Sequence, residues 1–161
     1  MNIAYDIFAE TNPAFCAAVL VEFTKSYMSI DPQGPETPLA YLALPIALSG
    51  DLASAFEGTN KATGLLEWLE RTPSAQVGLT ERVNASLDIV SEAVRYGCFT
   101  RVLSIGEGGR LCLGERRLKE RALSRLGEEP RSAISRAKRL GFWFITAGST
   151  RTVFDAMGLT V

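Results

Sequence analysis

Ten basic side chains fall between positions 110 and 139: Arg110, Arg116, Arg117, Lys119, Arg121, Arg125, Arg131, Arg136, Lys138 and Arg139. Four acidic residues accompany them (Glu115, Glu120, Glu128, Glu129), so this stretch carries a net +6. Arginine predominates, and its planar guanidinium takes phosphate or carboxylate in a two-point grip. The chemistry on offer is anion recognition, of DNA or of an acidic patch on a protein, with all but Arg131 as the candidate contacts. A solvated helical face accounts for the same pattern equally well.

Other groupings offer less. Gly106-Glu-Gly-Gly has the glycine count of a phosphate cradle but not its pattern. A phosphate-binding loop needs G-x-x-x-x-G-K-[ST], because lysine and hydroxyl hold phosphate and metal. Arg110 and an apolar run follow instead, so a turn is the better reading. Glu67 and Glu70 share a helix face at i, i+3, a spacing that general acid–base chemistry permits. Nothing else converges on them. Cys98 and Cys112 sit in apolar contexts on what read as neighbouring strands, which suits structural thiols.

The chain has no histidine. That removes Ser-His-Asp and Cys-His nucleophiles, histidine bases and histidine-ligated metals. No catalytic residue, metal or cofactor is expected, and no small-molecule substrate. Three widely spaced cysteines argue against a disulfide framework and for a reducing, cytoplasmic setting. The start, MNIAYDIFAE, lacks the pattern of a signal peptide. No run of 18 apolar residues occurs, so no membrane span is expected.

The overall charge of −1 conceals an asymmetry. Residues 1–80 hold three basic and nine acidic side chains, and residues 81–161 hold fourteen and nine. An acidic front and a basic back follow. Asp6, Glu10, Glu22, Asp31 and Glu36 are the front's candidate partner-docking residues. Hydrophobic residues make up 47% of the 161, with 14 glycines besides. With glycine counted in and tyrosine out, the apolar share is about 53%, slightly above the usual range. A well-filled helical core explains it, as does a subunit that buries surface against a partner.

Those residues must be positioned by a mainly helical scaffold. Asn12-Pro13 starts a helix to about Ile30, asparagine capping and proline filling the position whose amide goes unpaired. Leu39–Leu48 reads as two short helical pieces, kinked or broken at Pro45. A short helix covers Asp51–Phe56, and Thr59-Asn60 caps another that ends before Pro73. Ser74–Tyr96 reads as one helix capped by Ser74 or Thr80, with Gly97 just beyond its end. Cys98–Ile105 and Arg110–Gly114 then form a hairpin with a glycine-rich tip. Glu115–Gly127 is helical by propensity, Glu128–Ala147 more firmly so, and Ser149 or Thr150 caps a last helix closed by Gly158.

The expected fold is therefore a single mainly α domain with one small β-hairpin, over residues 1–161. Three helices and a hairpin make a winged-helix-like core (59–114), flanked by N-terminal helices (1–58) and by basic and C-terminal helices (115–161). The presumed recognition helix weakens a simple DNA reading. Between Thr80 and Tyr96 it sets Arg82 and Arg95 against Glu81, Asp88 and Glu92, whereas groove-reading helices bring positive charge.

Several blocks occur in a recognisable order: Asn12-Pro-Ala-Phe, Leu42-Ala-Leu-Pro-Ile-Ala-Leu, Leu65-Leu-Glu-Trp-Leu-Glu and Val77-Gly-Leu-Thr-Glu-Arg-Val. The glycine-rich hairpin, Ala137-Lys-Arg-Leu-Gly-Phe-Trp-Phe-Ile-Thr-Ala-Gly and Phe154-Asp-Ala-Met-Gly-Leu complete the set. Together they resemble the middle component of bacterial three-component ABC systems, over nearly the whole chain. The resemblance implies a non-catalytic accessory subunit. It implies as partners a coiled-coil, SMC-like ABC ATPase and an effector, often a nuclease, from the same operon. It further implies defence against phages and plasmids, as in Lamassu-type systems. The rival expectation is a free-standing winged-helix DNA-binding regulator.

Overall fold

The computed structural model describes residues 12–159. Eight α-helices and one two-stranded antiparallel sheet are present among them, joined by 3-10 turns. The centre is helix α1 (Pro13–Met28), capped by Asn12, whose side chain accepts hydrogen bonds from the amides of Ala14 and Phe15. Cys16 to Thr24 are all buried, as are Ser26 and Tyr27. A helix apolar on nearly every side can only be an interior helix, and the rest of the domain is arranged around it.

Helix α2 (Thr37–Leu48) follows and is equally apolar, with Leu39, Leu42, Leu44 and Ile46 almost inaccessible. Of a kink or a break at Pro45, the break does not occur: one helix runs through the proline. Proline removes one backbone bond and costs about 3 kcal/mol in a helix interior. Burial of a side chain such as leucine returns about 1.5–3 kcal/mol each, so the packed helix survives the proline. A turn of 92° then leads into a 3-10 segment, Gly50–Phe56. No single described helix is long and apolar enough to cross a membrane.

Helix α3 (Leu65–Arg71) begins after Gly64, not after a Thr59-Asn60 cap. Asn60 instead accepts from the Ala62 amide and closes a local turn. The single helix expected over Ser74–Tyr96 is divided into a 3-10 turn (Pro73–Gln76), α4 (Leu79–Ala85) and α5 (Leu87–Phe99). Gly78, at φ 68°, is where α4 begins. The break at Ser86 coincides with its hydroxyl donating to the Val83 carbonyl, a local bond that competes with helical continuation.

The hairpin pairs β1 (Leu103–Ile105) with β2 (Leu111–Leu113), Leu103 opposite Leu113 and Ile105 opposite Leu111. It is shorter than its sequence pattern, because residues 98 and 99 finish α5. Cys98 therefore lies on a helix and does not face Cys112 across a ladder. Gly97 lies inside α5, where a Cβ would come within 2.5 Å of Leu103. It is a packing glycine that lets β1 rest on α5. Cys98 and Cys112 are free thiols.

Of the helix expected over Glu115–Gly127, only α6 (Glu120–Ser124) forms, and none of its residues is buried. Helix α7 (Glu128–Ala147) crosses α1 at Gly141, where a Cβ would stand 2.5 Å from the Phe23 carbonyl oxygen. Its inward face carries Ile134, Ala137, Leu140 and Phe144, as the spacing predicts. Trp143 stacks on Phe56 at 5.6 Å and meets Trp68 at 5.5 Å. Both indoles are paired, Trp143 donating to the Asn60 carbonyl and Trp68 to that of Ala55. Helix α8 (Thr150–Ala156), capped by Ser149, closes the core with Val153, Phe154 and Met157.

Candidate functional site

The basic run divides into two populations. Arg136 is 4% exposed and structural, donating from Nε to the Ala47 carbonyl and from Nη2 to Glu129 at 2.8 Å. One turn on, Arg139 donates to the Phe56 carbonyl and the Thr59 hydroxyl, its guanidinium over the Phe56 ring. Burial, with Arg136 close by, lowers its proton affinity from the ordinary arginine value. These two arginines stitch α7 to the end of α2 and the 3-10 turn after it. Lys138 lies 3.6 Å from Glu22, whose side chain is 8% exposed. Arg110 lies near Asp31 and Glu36, at 3.9 and 3.8 Å, and donates to the Gly34 carbonyl.

The acidic front is rearranged accordingly. Glu22 is an interior partner of Lys138, and Asp31 and Glu36 flank Arg110 with part of each side chain still exposed. Asp6 and Glu10 lie outside the described residues. The loop around Arg110 is a clamp on the hairpin. The Leu111 amide donates to the Pro35 carbonyl, the Thr37 hydroxyl to Gly109, and the Cys112 thiol to Gln33. Beneath it, burial and the nearby Asp31 raise the Tyr27 phenol above its usual range.

The second population is different in kind. Arg116, Arg117, Lys119, Arg121, Arg125 and Arg131 are exposed, and none has a carboxylate within ion-pair distance among the described residues. Their segment runs over the surface from the end of the hairpin, through α6, into the first turn of α7. Glu120 and Glu128 lie in the same segment and are exposed as well. Six cations with no carboxylate in reach make this solvent-facing segment positive. Long, open spacing suits an extended polyanion or an acidic protein face better than a small anion.

Apolar exposure concentrates nearby. Phe99, the last residue of α5, is 87% exposed, and Tyr96, Ile105 and Leu113 are exposed too. A shallow hollow between the end of α5 and the hairpin is lined by Cys98, Arg101, Leu103, Ser104, Ile105, Gly114 and Glu115. Burial pushes the Cys98 thiol above its ordinary pKa, the opposite of an activated nucleophile. A second hollow, about 210 Å³, lies between α2 and the α4–α5 junction, lined by Leu44, Pro45, Leu48 and Ile89. Its one cation, Arg82, is taken up by a two-point grip on Asp51 and a bond to Ser49. No cluster of three or more histidine, cysteine, aspartate or glutamate side chains able to hold a metal occurs among the described residues.

Sequence spacing alone could not separate the two populations. Arg136 and Arg139 are three apart on α7 and look like surface charge until the chain from α2 packs over them. Sequence patterning does not single out Phe99, because a strand from Cys98 places it in the hairpin, whereas it ends α5 and is 87% exposed.

No curated protein and no solved structure matches this chain. A family model does, over residues 6–161, described as the ABC-three component system Middle Component 3. The match takes in all ten residues of the basic run together with the hairpin and both tryptophans. The chain belongs to the Middle Component 3 family of ABC-three component systems.

Proposed function

We propose that this chain is a non-catalytic accessory subunit that bridges an SMC-like ABC ATPase and an effector, often a nuclease, in a complex that defends bacteria against phages and plasmids. The observation that carries the reading is the row of six exposed, unpaired cations, Arg116, Arg117, Lys119, Arg121, Arg125 and Arg131. Its elements are tied into one core, while this segment is left with charge and no internal use for it. Such a surface orients an encounter and sets its rate more than its final strength. The polyanion it meets is an acidic face of a partner subunit or DNA held by the ATPase. Family membership supports the setting, since a middle component acts with other components.

Co-expression of the tagged chain with the ATPase and effector of its own operon tests the proposal. Recovery of both, reduced by Arg116→Glu, Arg117→Glu and Arg121→Glu together, is the expected result. Purification of the wild-type chain alone from that co-expression overturns it. A rival reading, a free-standing winged-helix regulator, requires the isolated chain to bind duplex DNA sequence-specifically, with the steep salt dependence of phosphate contacts.

A further inference from the structure

We propose that the hollow between α2 and the α4–α5 junction is the docking site for one apolar side chain of a partner protein, set among lysines or arginines. The proposal rests on the subunit reading above and adds a contact outside the basic segment. Leu44, Pro45 and Leu48 form one wall, and Ala85, Ser86 and Ile89 the other. Leu44 and Pro45 are buried, Leu48 and Ile89 half-buried and Ala85 exposed, so the walls run from the core out to solvent. At about 210 Å³ the space exceeds the roughly 150 Å³ cavity that holds a benzene ring. A leucine or phenylalanine side chain fits it. Two polar ties between the same elements brace the walls. At one end the Tyr41 hydroxyl meets the Ser91 hydroxyl at 2.7 Å. At the other, Arg82 bonds the Ser49 hydroxyl and grips Asp51. The apolar lining falls between positions 41 and 49 on one wall and between 82 and 91 on the other. The space is therefore preformed, and filling it requires little ordering of this chain.

Charge defines the occupant. The Ser49 and Ser86 hydroxyls already donate to the Pro45 and Val83 carbonyls, and Arg82 is spent on Asp51 and Ser49. No charged side chain of the lining is free to hold a nucleotide or another anion. Beside the lining the surplus charge is negative. Glu81 stands one helical turn before Ala85 on α4, and Asp88 is next to Ile89 on α5. Both are exposed, and neither has a cation within ion-pair distance among the described residues. Glu92 is already paired with Arg95. Two free carboxylates repel a nucleic acid and favour lysine or arginine beside the inserted chain. A helix supplies that arrangement, its apolar residue entering the space and basic neighbours three or four positions away reaching Glu81 and Asp88.

A benzophenone amino acid in place of Asn84, exposed and outside the lining, tests this in the chain co-expressed with the ATPase and effector of its operon. Photo-cross-linking is expected to join position 84 to one partner peptide that sets an apolar residue among lysines or arginines. Ala85→Trp plugs the hollow, and Ala85→Lys puts a like charge at its mouth. Each is expected to lower recovery of that partner by about tenfold or more. Because Ala85 is exposed, both melting temperatures should stay within about 2 °C of wild type. The two variants share neither bulk nor charge, so a common loss with melting unchanged reports the site. Cross-links to nucleic acid, to a second copy, to a peptide without basic neighbours, or to nothing in an intact complex overturn the proposal. Undiminished recovery with both variants does so too. Failure of the wild-type chain to recover any component overturns the subunit reading and this one together. Failure at positions 84 and 85, with recovery still reduced by the arginine reversals, overturns this one alone.

Discussion

Two arginines eleven residues apart, Arg125 and Arg136, illustrate how little charge alone says about role. Arg136 is almost inaccessible and bonds the Ala47 carbonyl, whereas Arg125 is exposed and unpaired. Arg136→Ala strands a buried acceptor and leaves a void, so it should cost about 2–3 kcal/mol in urea unfolding. Arg125→Ala should stay within about 0.5 kcal/mol, which a denaturation series on both variants would check. The Arg82–Asp51 pair adds a pH signature. The Arg82 hydrogen bonds hold the Asp51 carboxyl below its ordinary value. A depressed folded-state pKa contributes stability above the unfolded value of about 4 and loses it as pH falls through the folded one. Asp51→Asn should flatten stability in that acid window. At neutral pH it should cost less than about 1 kcal/mol, because Asp51 is largely exposed. Unfolding midpoints followed from pH ~6 to ~3 would show both effects.

At the scale of elements, the crossing of α1 and α7 is the domain's main joint. Gly141 permits it by leaving no Cβ between α7 and the Phe23 carbonyl. Gly141→Ala therefore forces two packed backbones apart and should destabilise by about 1–3 kcal/mol or more. For a domain of this length that is a fall in Tm of roughly 2–12 °C, measurable by calorimetry. The helical period over Ser74–Tyr96 was legible, but the breaks at Gly78 and Ser86 were not. Both depend on how the pieces fit α2 and the 3-10 turn, where Arg82 finds Asp51 and Ser49. Pro45 shows the reverse effect, a local breaker overruled by burial on every side. The hairpin's glycine-rich tip was readable from turn chemistry. Its clamp on residues 31–37 was not, since those bonds join positions more than seventy residues apart.

For the whole molecule, the charge asymmetry survives folding in altered form. The acidic side chains that looked like a front are partly consumed inside, Glu22 by Lys138 and Asp31 and Glu36 around Arg110. What remains outside is a short basic segment from Arg116 to Arg131. The Arg116/Arg117/Arg121 reversal should slow association with an acidic partner markedly and weaken or invert the fall of its rate with rising salt. Surface-binding kinetics on the reconstituted complex at two ionic strengths would separate these effects.

By itself the sequence determined a mainly helical domain with one hairpin, the start of α1, the limits of α7 and the inward face of α7. Those properties depend on neighbours within a few positions, through capping, periodicity and turn geometry. The family was legible in the order of its blocks for the same reason, since such patterns are linear. Only the tertiary structure decided which cations are free. A guanidinium is spent or available according to whether a carbonyl or carboxylate from a remote segment reaches it, and Ala47, Phe56 and Glu22 arrive by packing that no local spacing records.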